Sequence, residues 1–163
     1  MDDPLHAKAV VLDNGECRIA MVVLDLLGIS GEYVKAIRDL VTESTGIPGE
    51  NVLVACTHTH TGPTIQDIYD CKHDEDYIKW MIRRVADAVS LAVRRLQPAR
   101  IAWDEGEQPD PLFCRRFRMR DGSVKMNPGR GNPDAIAPTS PIDPVVGVLY
   151  IEDAQRQPLA VIA

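Results

Sequence analysis

An amphipathic helix in the middle of the chain is the feature that most constrains the fold. Apolar residues recur at helical spacing between positions 78 and 96: Ile78, Met81, Ile82, Val85, Val89, Ala92, Val93 and Leu96. Three acids at positions 74–76 precede this stripe, where the positive end of the helix dipole favours them, and Pro98 ends it. A helix with one apolar stripe must bury that stripe against another layer. The pattern therefore predicts a layered domain.

Apolar segments before this helix predict strands and one further helix. Residues 7–12 and 17–24 read as two strands joined by a turn at Asn14-Gly15. The second strand is almost continuously apolar, which is typical of a central strand. Ser30 is a predicted N-cap and Gly46 a predicted end for a helix between them. Residues 51–57 form the next predicted strand.

The remaining chain adds strands and one long loop. Strands are predicted at 100–103, 113–119, 145–151 and 159–163, and the proline-rich segment 127–144 is predicted as a loop. The resulting order is β-β-α-β-α-β-β-β-β. This order predicts an α/β (or α+β) fold, a layered domain with a mixed β-sheet flanked by two main helices.

Composition limits the functional classes. The 163 residues carry 18 Lys plus Arg against 24 Asp plus Glu, a formal net charge of -6, which argues against a nucleic-acid partner. No stretch reaches the roughly 18 apolar residues of a membrane span. The four cysteines lack CxxC spacing and are predicted to be free thiols. No signal peptide is visible, so the compartment stays unassigned.

The segment from Thr57 to Pro63, with the sequence THTHTGP, carries the strongest chemical signal. If the strand continues through it, His58 and His60 project from one face and lie a few ångströms apart. Ligands collect outside the carboxyl ends of strands in α/β sheets, and imidazole is a common zinc ligand. A metal ligand with a neighbouring acid, base or second ligand is therefore one interpretation. A structural or surface role is the other.

Other residues offer further candidates. Asp25 ends the neighbouring strand and could orient a metal-bound imidazole, or serve only as a loop carboxylate. Asp67, Asp70, Cys71 and His73 could complete a local metal site, or be solvated and capping residues. Arg115 and Arg116 fall in a predicted strand, which would place one on each face. One could line a cleft, or both could protect an edge strand.

Two absent sequence motifs limit the possible classes of enzyme. The chain contains no GxSxG nucleophile motif and no GxxxxGK[ST] phosphate loop. The sequence therefore gives no support to a serine hydrolase or to a nucleotide-dependent enzyme.

In these motifs the chain resembles the neutral/alkaline non-lysosomal ceramidase family, specifically its N-terminal domain. The matching segments are 3–9, 22–26, 51–54 leading into the THTHTGP segment, and 141–149. The resemblance implies a zinc-dependent amidohydrolase that cleaves the N-acyl amide bond of ceramide or a related amide. It implies that His58 binds zinc and that His60 contacts the reacting group. It also implies that Arg115 lines the site, although Cys114 replaces the family's asparagine.

The resemblance also implies an incomplete site. One zinc ion is expected, and its remaining ligands are expected beyond Ala163. Residues 1–163 are accordingly predicted to form a single domain, an internal fragment of a larger ceramidase-like N-terminal domain. The expected partner is a small-molecule or lipid amide substrate, with self-association through a truncated edge as a further expectation. The competing hypothesis is a non-catalytic, degenerate ceramidase-like domain that acts as a binding or assembly module.

Overall fold

A computed structural model describes residues 3–110 and 112–163 of the chain. The chain divides between Gln97 and Pro98 into two compact units. That residues 1–163 behave as a single domain within a larger one stays a prediction.

The first unit is built on a mixed three-stranded sheet. Its strands are β1 (Ala7–Asp13), β2 (Arg18–Leu24) and β3 (Val52–Cys56), in the order β1-β2-β3. Strand β1 pairs antiparallel with β2, and β2 pairs parallel with β3. Two helices follow the strands in the chain, α1 (Gly31–Thr45) after β2 and α2 (Glu75–Arg94) after β3. The predicted α/β (or α+β) class, with a mixed sheet and two main helices, is confirmed.

Burial alternates along β2 because successive side chains point to opposite faces of the sheet. Ala20, Val22 and Leu24 are buried, whereas Ile19 and Val23 are exposed. The buried face shares one core with residues of both helices, among them Ile37 and Val41 of α1 and Val85 and Val89 of α2. The amphipathic stripe predicted from the sequence therefore lies against one face of the mixed sheet.

The helix ends agree with the sequence signals. Helix α1 ends at Gly46, whose φ of 73° is left-handed and whose N–H donates to the Thr42 carbonyl. The Asp74 carboxylate caps α2 by accepting hydrogen bonds from the N–H groups of Asp76 and Tyr77. Ser30 occupies the N-cap position of α1, but its hydroxyl makes no capping hydrogen bond.

The second unit contains two antiparallel three-stranded sheets. One has the order β4-β8-β9, with β4 (Ala99–Glu107), β8 (Val145–Asp153) and β9 (Pro158–Ile162). The other has the order β6-β5-β7, with β5 (Arg116–Met119), β6 (Val124–Met126) and β7 (Ala135–Pro138).

The prediction of an uninterrupted loop over 127–144 is wrong at β7, and β6 was not predicted. Both strands have only three or four residues, too few to show a periodic pattern. They form because each pairs with β5. Arg118 of β5 is paired with Val124 of β6 on one side and with Ala137 of β7 on the other. Within residues 3–110 and 112–163, no helix combines the length and hydropathy needed to cross a bilayer.

Candidate functional site

The THTHTGP segment lies at the carboxyl ends of the parallel strands β2 and β3. Beyond the last residue of β3, the backbone stays attached to the end of β2. The N–H of Thr57 donates to the Leu24 carbonyl at 2.9 Å, and the N–H of His58 donates to the Leu26 carbonyl at 3.0 Å. The edge at which α/β sheets usually bind ligands therefore holds the first of the two histidines in place.

The predicted strand conformation of this segment is wrong. Strand β3 ends at Cys56, and His58 has a left-handed φ of 63°. Such a backbone is strained by about 1 kcal/mol in a residue other than glycine. The two rings nevertheless come together, because the centroids of His58 and His60 lie 5.0 Å apart with their planes almost perpendicular, at 88°. The predicted proximity of the two rings thus results from a turn rather than from strand alternation.

The side chain of His58 is fixed by a backbone carbonyl. Its Nδ1 lies 2.6 Å from the carbonyl oxygen of Leu27. A carbonyl oxygen can only accept, so Nδ1 carries the hydrogen and the Nε2 lone pair of the neutral ring is left available. Metal-binding histidines usually donate their second N–H to a carbonyl or carboxylate in this way. The donor chemistry of His58 therefore fits a zinc ligand. Sequence reasoning missed Leu27, because a carbonyl partner leaves no trace in residue type.

Asp25 does not orient His58, contrary to one interpretation of the sequence. Its Oδ2 accepts a hydrogen bond from the backbone N–H of His6 at 2.9 Å and lies 3.5 Å from the ring Nδ1 of His6. The His6 N–H, the His6 ring and the Thr57 hydroxyl lower the pKa of the Asp25 carboxyl, in that order. Asp25, which directly follows β2, therefore ties the segment before β1 to the carboxyl end of β2.

The acids and histidine after Pro63 form an ion-pair cluster. Asp67 Oδ2 accepts from Lys72 Nζ at 2.6 Å, and Asp67 Oδ1 lies 2.8 Å from His73 Nδ1. These bonds hold the pKa of Asp67 below its usual range, and the carboxylates of Asp67 and then Glu75 raise the pKa of His73. Among the residues that the structure describes, no three His, Cys, Asp or Glu side chains are grouped to hold a metal. The local metal site considered for these residues, with Asp70 and Cys71, is not formed.

Arg115 lies in the second unit, immediately before β5. The predicted strand over 113–119 begins only at Arg116, so the two arginines do not share a strand. The Arg115 carbonyl accepts a hydrogen bond from the N–H of Asn127 at 2.8 Å, which fixes the backbone at this position. The side chain is exposed. Its predicted catalytic role stays a prediction.

Cys114, which precedes Arg115, has an unusual environment for a thiol. Its Sγ lies 3.5 Å from the Ser140 hydroxyl, 3.4 Å from the Arg116 carbonyl oxygen and 3.8 Å from the Thr139 hydroxyl. Hydrogen bonding to Ser140, then to the backbone of Arg116 and to Thr139, lowers the pKa of Cys114 to about 6. The predicted free state of this cysteine, and of Cys17, Cys56 and Cys71, is confirmed.

The thiolate is the reactive form of cysteine, so the lowered pKa predicts fast alkylation of Cys114 in neutral solution. We expect the rate of its alkylation by iodoacetamide to rise through a midpoint at pH about 6, measured peptide by peptide with mass spectrometry. Ser140→Ala removes the largest contribution and should move the midpoint toward the usual thiol value of about 8.5. Ser90→Ala is the matched control and should leave it unchanged. A wild-type midpoint near the usual value would contradict the assignment.

The known proteins that this chain is similar to are ceramidases. No protein-family model matches the chain. The chain is 26% identical over 161 residues to a protein described as neutral ceramidase from Pseudomonas aeruginosa, covering 93% of this chain and 23% of that protein. A crystal structure of neutral ceramidase from Pseudomonas aeruginosa is similar with a TM-score of 0.64 and 25% identity, over 93% of this chain and 24% of that one. A structure described as ceramidase complexed with C2 also has a TM-score of 0.64, at 24% identity. The chain thus spans about a quarter of the length of these relatives.

Proposed function

We propose, on the premise that this chain belongs to the neutral ceramidase family, that it forms part of a zinc-dependent amidohydrolase. The substrate class is an N-acyl amide of a lipid, such as ceramide, or a related small amide. The relatives are described as ceramidases, and this chain matches about a quarter of their length. The activity therefore requires further protein in addition to these 163 residues.

The observation that carries the proposal is the orientation of His58. Its Nδ1 donates to the Leu27 carbonyl at 2.6 Å, and its backbone N–H donates to the Leu26 carbonyl at 3.0 Å. Ring and backbone are thus both held, and the exposed ring keeps one nitrogen for a ligand. The left-handed backbone of His58 adds support to the proposal, because strained backbone conformations are found preferentially at functional sites.

His58, His60 and Arg115 have distinct proposed roles. His58 would hold one zinc ion, which when bound supplies Lewis-acid activation of water and of the amide carbonyl. His60, with its ring centroid 5.0 Å from that of His58, would pass a proton to the leaving amine. The family resemblance assigns Arg115 to the stabilisation of the carbonyl oxygen as it becomes negative. Catalytic zinc takes about three protein ligands, so His58 would be one of several.

A second function is favoured by a different observation. Within the described residues no three metal-binding side chains come together. The domain could therefore have kept the fold and lost the chemistry, and act as a binding or assembly module.

Zinc titration of the purified chain separates the two proposals. We expect weak binding of one zinc ion, measured by calorimetry, because His58 supplies only part of a coordination sphere. His58→Ala should abolish this binding, whereas His6→Ala, which removes an exposed histidine outside the THTHTGP segment, should not. Equal zinc binding by wild type and His58→Ala would contradict a zinc role for this residue and favour the module.

A further inference from the structure

The β6-β5-β7 sheet has one face that combines cations with apolar side chains. Arg116 is paired in register with Met126, and Arg118 with Val124. Residues directly opposite in antiparallel strands project to the same side, with their Cβ atoms about 5 Å apart. Arg116, Arg118, Val124 and Met126 therefore share one face, here termed the cationic face.

All four residues of the cationic face are exposed to solvent. Val124 is 47% and Met126 64% exposed, and both arginines are exposed. On the opposite face of β5, Met119 is buried and Phe117 is half-buried. The sheet thus buries Met119 on one side and leaves Val124 and Met126 exposed on the other, opposite the two arginines.

The charges of the cationic face are not neutralised within the described chain. Neither Arg116 nor Arg118 has an acid within ion-pair distance in residues 3–110 and 112–163. Two acids that flank the strands of this sheet are engaged elsewhere. Asp121 accepts from the N–H and hydroxyl of Ser123, at 2.9 and 2.6 Å, and Asp134 lies 3.6 Å from Nε of Arg120. This positive region therefore persists in a chain whose formal net charge is -6.

We infer that the cationic face docks on an anionic lipid surface. Arginines contribute attraction to acidic headgroups, and apolar side chains beside them enter the boundary between headgroups and acyl chains. The stems of both arginines can lie along Val124 and Met126 while their charged ends stay in the headgroup layer. Nucleic-acid surfaces instead combine basic residues with aromatic stacking, and this face has no aromatic residue.

The inference deepens the proposed function and rests on it for its biological sense, because a lipid amide resides in a bilayer. The binding itself depends neither on zinc nor on hydrolysis. It can therefore be measured with vesicles that contain no amide lipid, so that its outcome is separate from that of the catalytic proposal.

Vesicle flotation tests the inference on the full chain. One set of vesicles contains equal parts of phosphatidylcholine and phosphatidylglycerol, and the other contains phosphatidylcholine alone. We expect binding to the anionic set only, weakened by added salt because screening shortens the reach of the charges. Arg116→Gln with Arg118→Gln should lower the partition coefficient about thirty-fold, about five-fold for each arginine. Met126→Gln should lower it about ten-fold through lost apolar contact.

Matched variants show whether vesicle binding depends on the position of the arginines or only on the net charge of the chain. Arg83→Gln with Arg84→Gln removes the same charge from the exposed side of α2 and should leave vesicle binding unchanged, as should Arg116→Lys with Arg118→Lys. Circular dichroism verifies that each variant folds. Three outcomes would overturn the inference: absence of binding to the anionic vesicles, equal binding by the Arg116→Gln/Arg118→Gln variant and wild type, or displacement of the vesicles by RNA bound to the same arginines. His58→Ala should bind vesicles like wild type, so unchanged zinc binding in that variant would count against the catalytic proposal alone.

Discussion

His58→Ala, placed in a longer protein that carries this chain together with the remaining zinc ligands, is expected to lower amide hydrolysis by at least about a hundred-fold. Loss of a partner that merely orients a metal ligand already costs 10- to 100-fold, so loss of the ligand itself should cost no less. Zinc content, measured by atomic emission, should fall in the same variant. The physical reason is that the only ring nitrogen left free by the Leu27 carbonyl is removed.

His6→Ala is the matched control for this experiment. His6 is also exposed, its side chain being 53% accessible, and its structural bond to Asp25 is made mainly by the backbone N–H, which alanine keeps. Activity and zinc content of His6→Ala should equal those of wild type. If His58→Ala retained both as well, the zinc amidohydrolase proposal would have to be abandoned.

Leu26→Ala is expected to cause the greatest loss of stability among single changes near the site. Leu26 is 2% exposed and belongs to the core shared by the sheet and both helices. Truncating a buried leucine to alanine costs about 3 kcal/mol in the free energy of unfolding, from lost burial and the cavity left behind. Urea denaturation followed by circular dichroism measures this difference. Alanine keeps the Leu26 carbonyl that accepts the His58 N–H, so zinc binding should weaken only as far as the backbone shifts around the cavity.

Leu53→Ala is the control for the same chemical change on the same sheet. Leu53 lies in β3 and is 56% exposed, so its truncation removes little buried surface. The free energy of unfolding should change by no more than about 0.5 kcal/mol. Similar losses in Leu26→Ala and Leu53→Ala would show that the described core does not determine stability here.

Sequence patterns predicted the first unit well because its elements are long and periodic. The stripe from Ile78 to Leu96 and the signals at Gly46 and Asp74 located both helices to within a few residues. The short strands β6 and β7 were not predicted, because each depends on pairing with β5 rather than on a pattern of its own. The histidine pair was found for a reason that proved wrong, because His58 lies in a turn and not in a strand.

The sequence by itself determined the chemistry available in the THTHTGP segment, where one threonine separates two histidines after an apolar strand. Residue type and spacing are local properties, and they are sufficient to predict that the rings lie close together. Only the tertiary structure decided which nitrogen is free, since the Leu27 carbonyl that holds His58 comes from another strand end, 31 residues earlier. It likewise directed Asp25 to His6 and Asp67 to His73 and Lys72. Hydrogen-bond partners of this kind are set by how strand ends and loops meet in space, which the order of residues along the chain does not reveal.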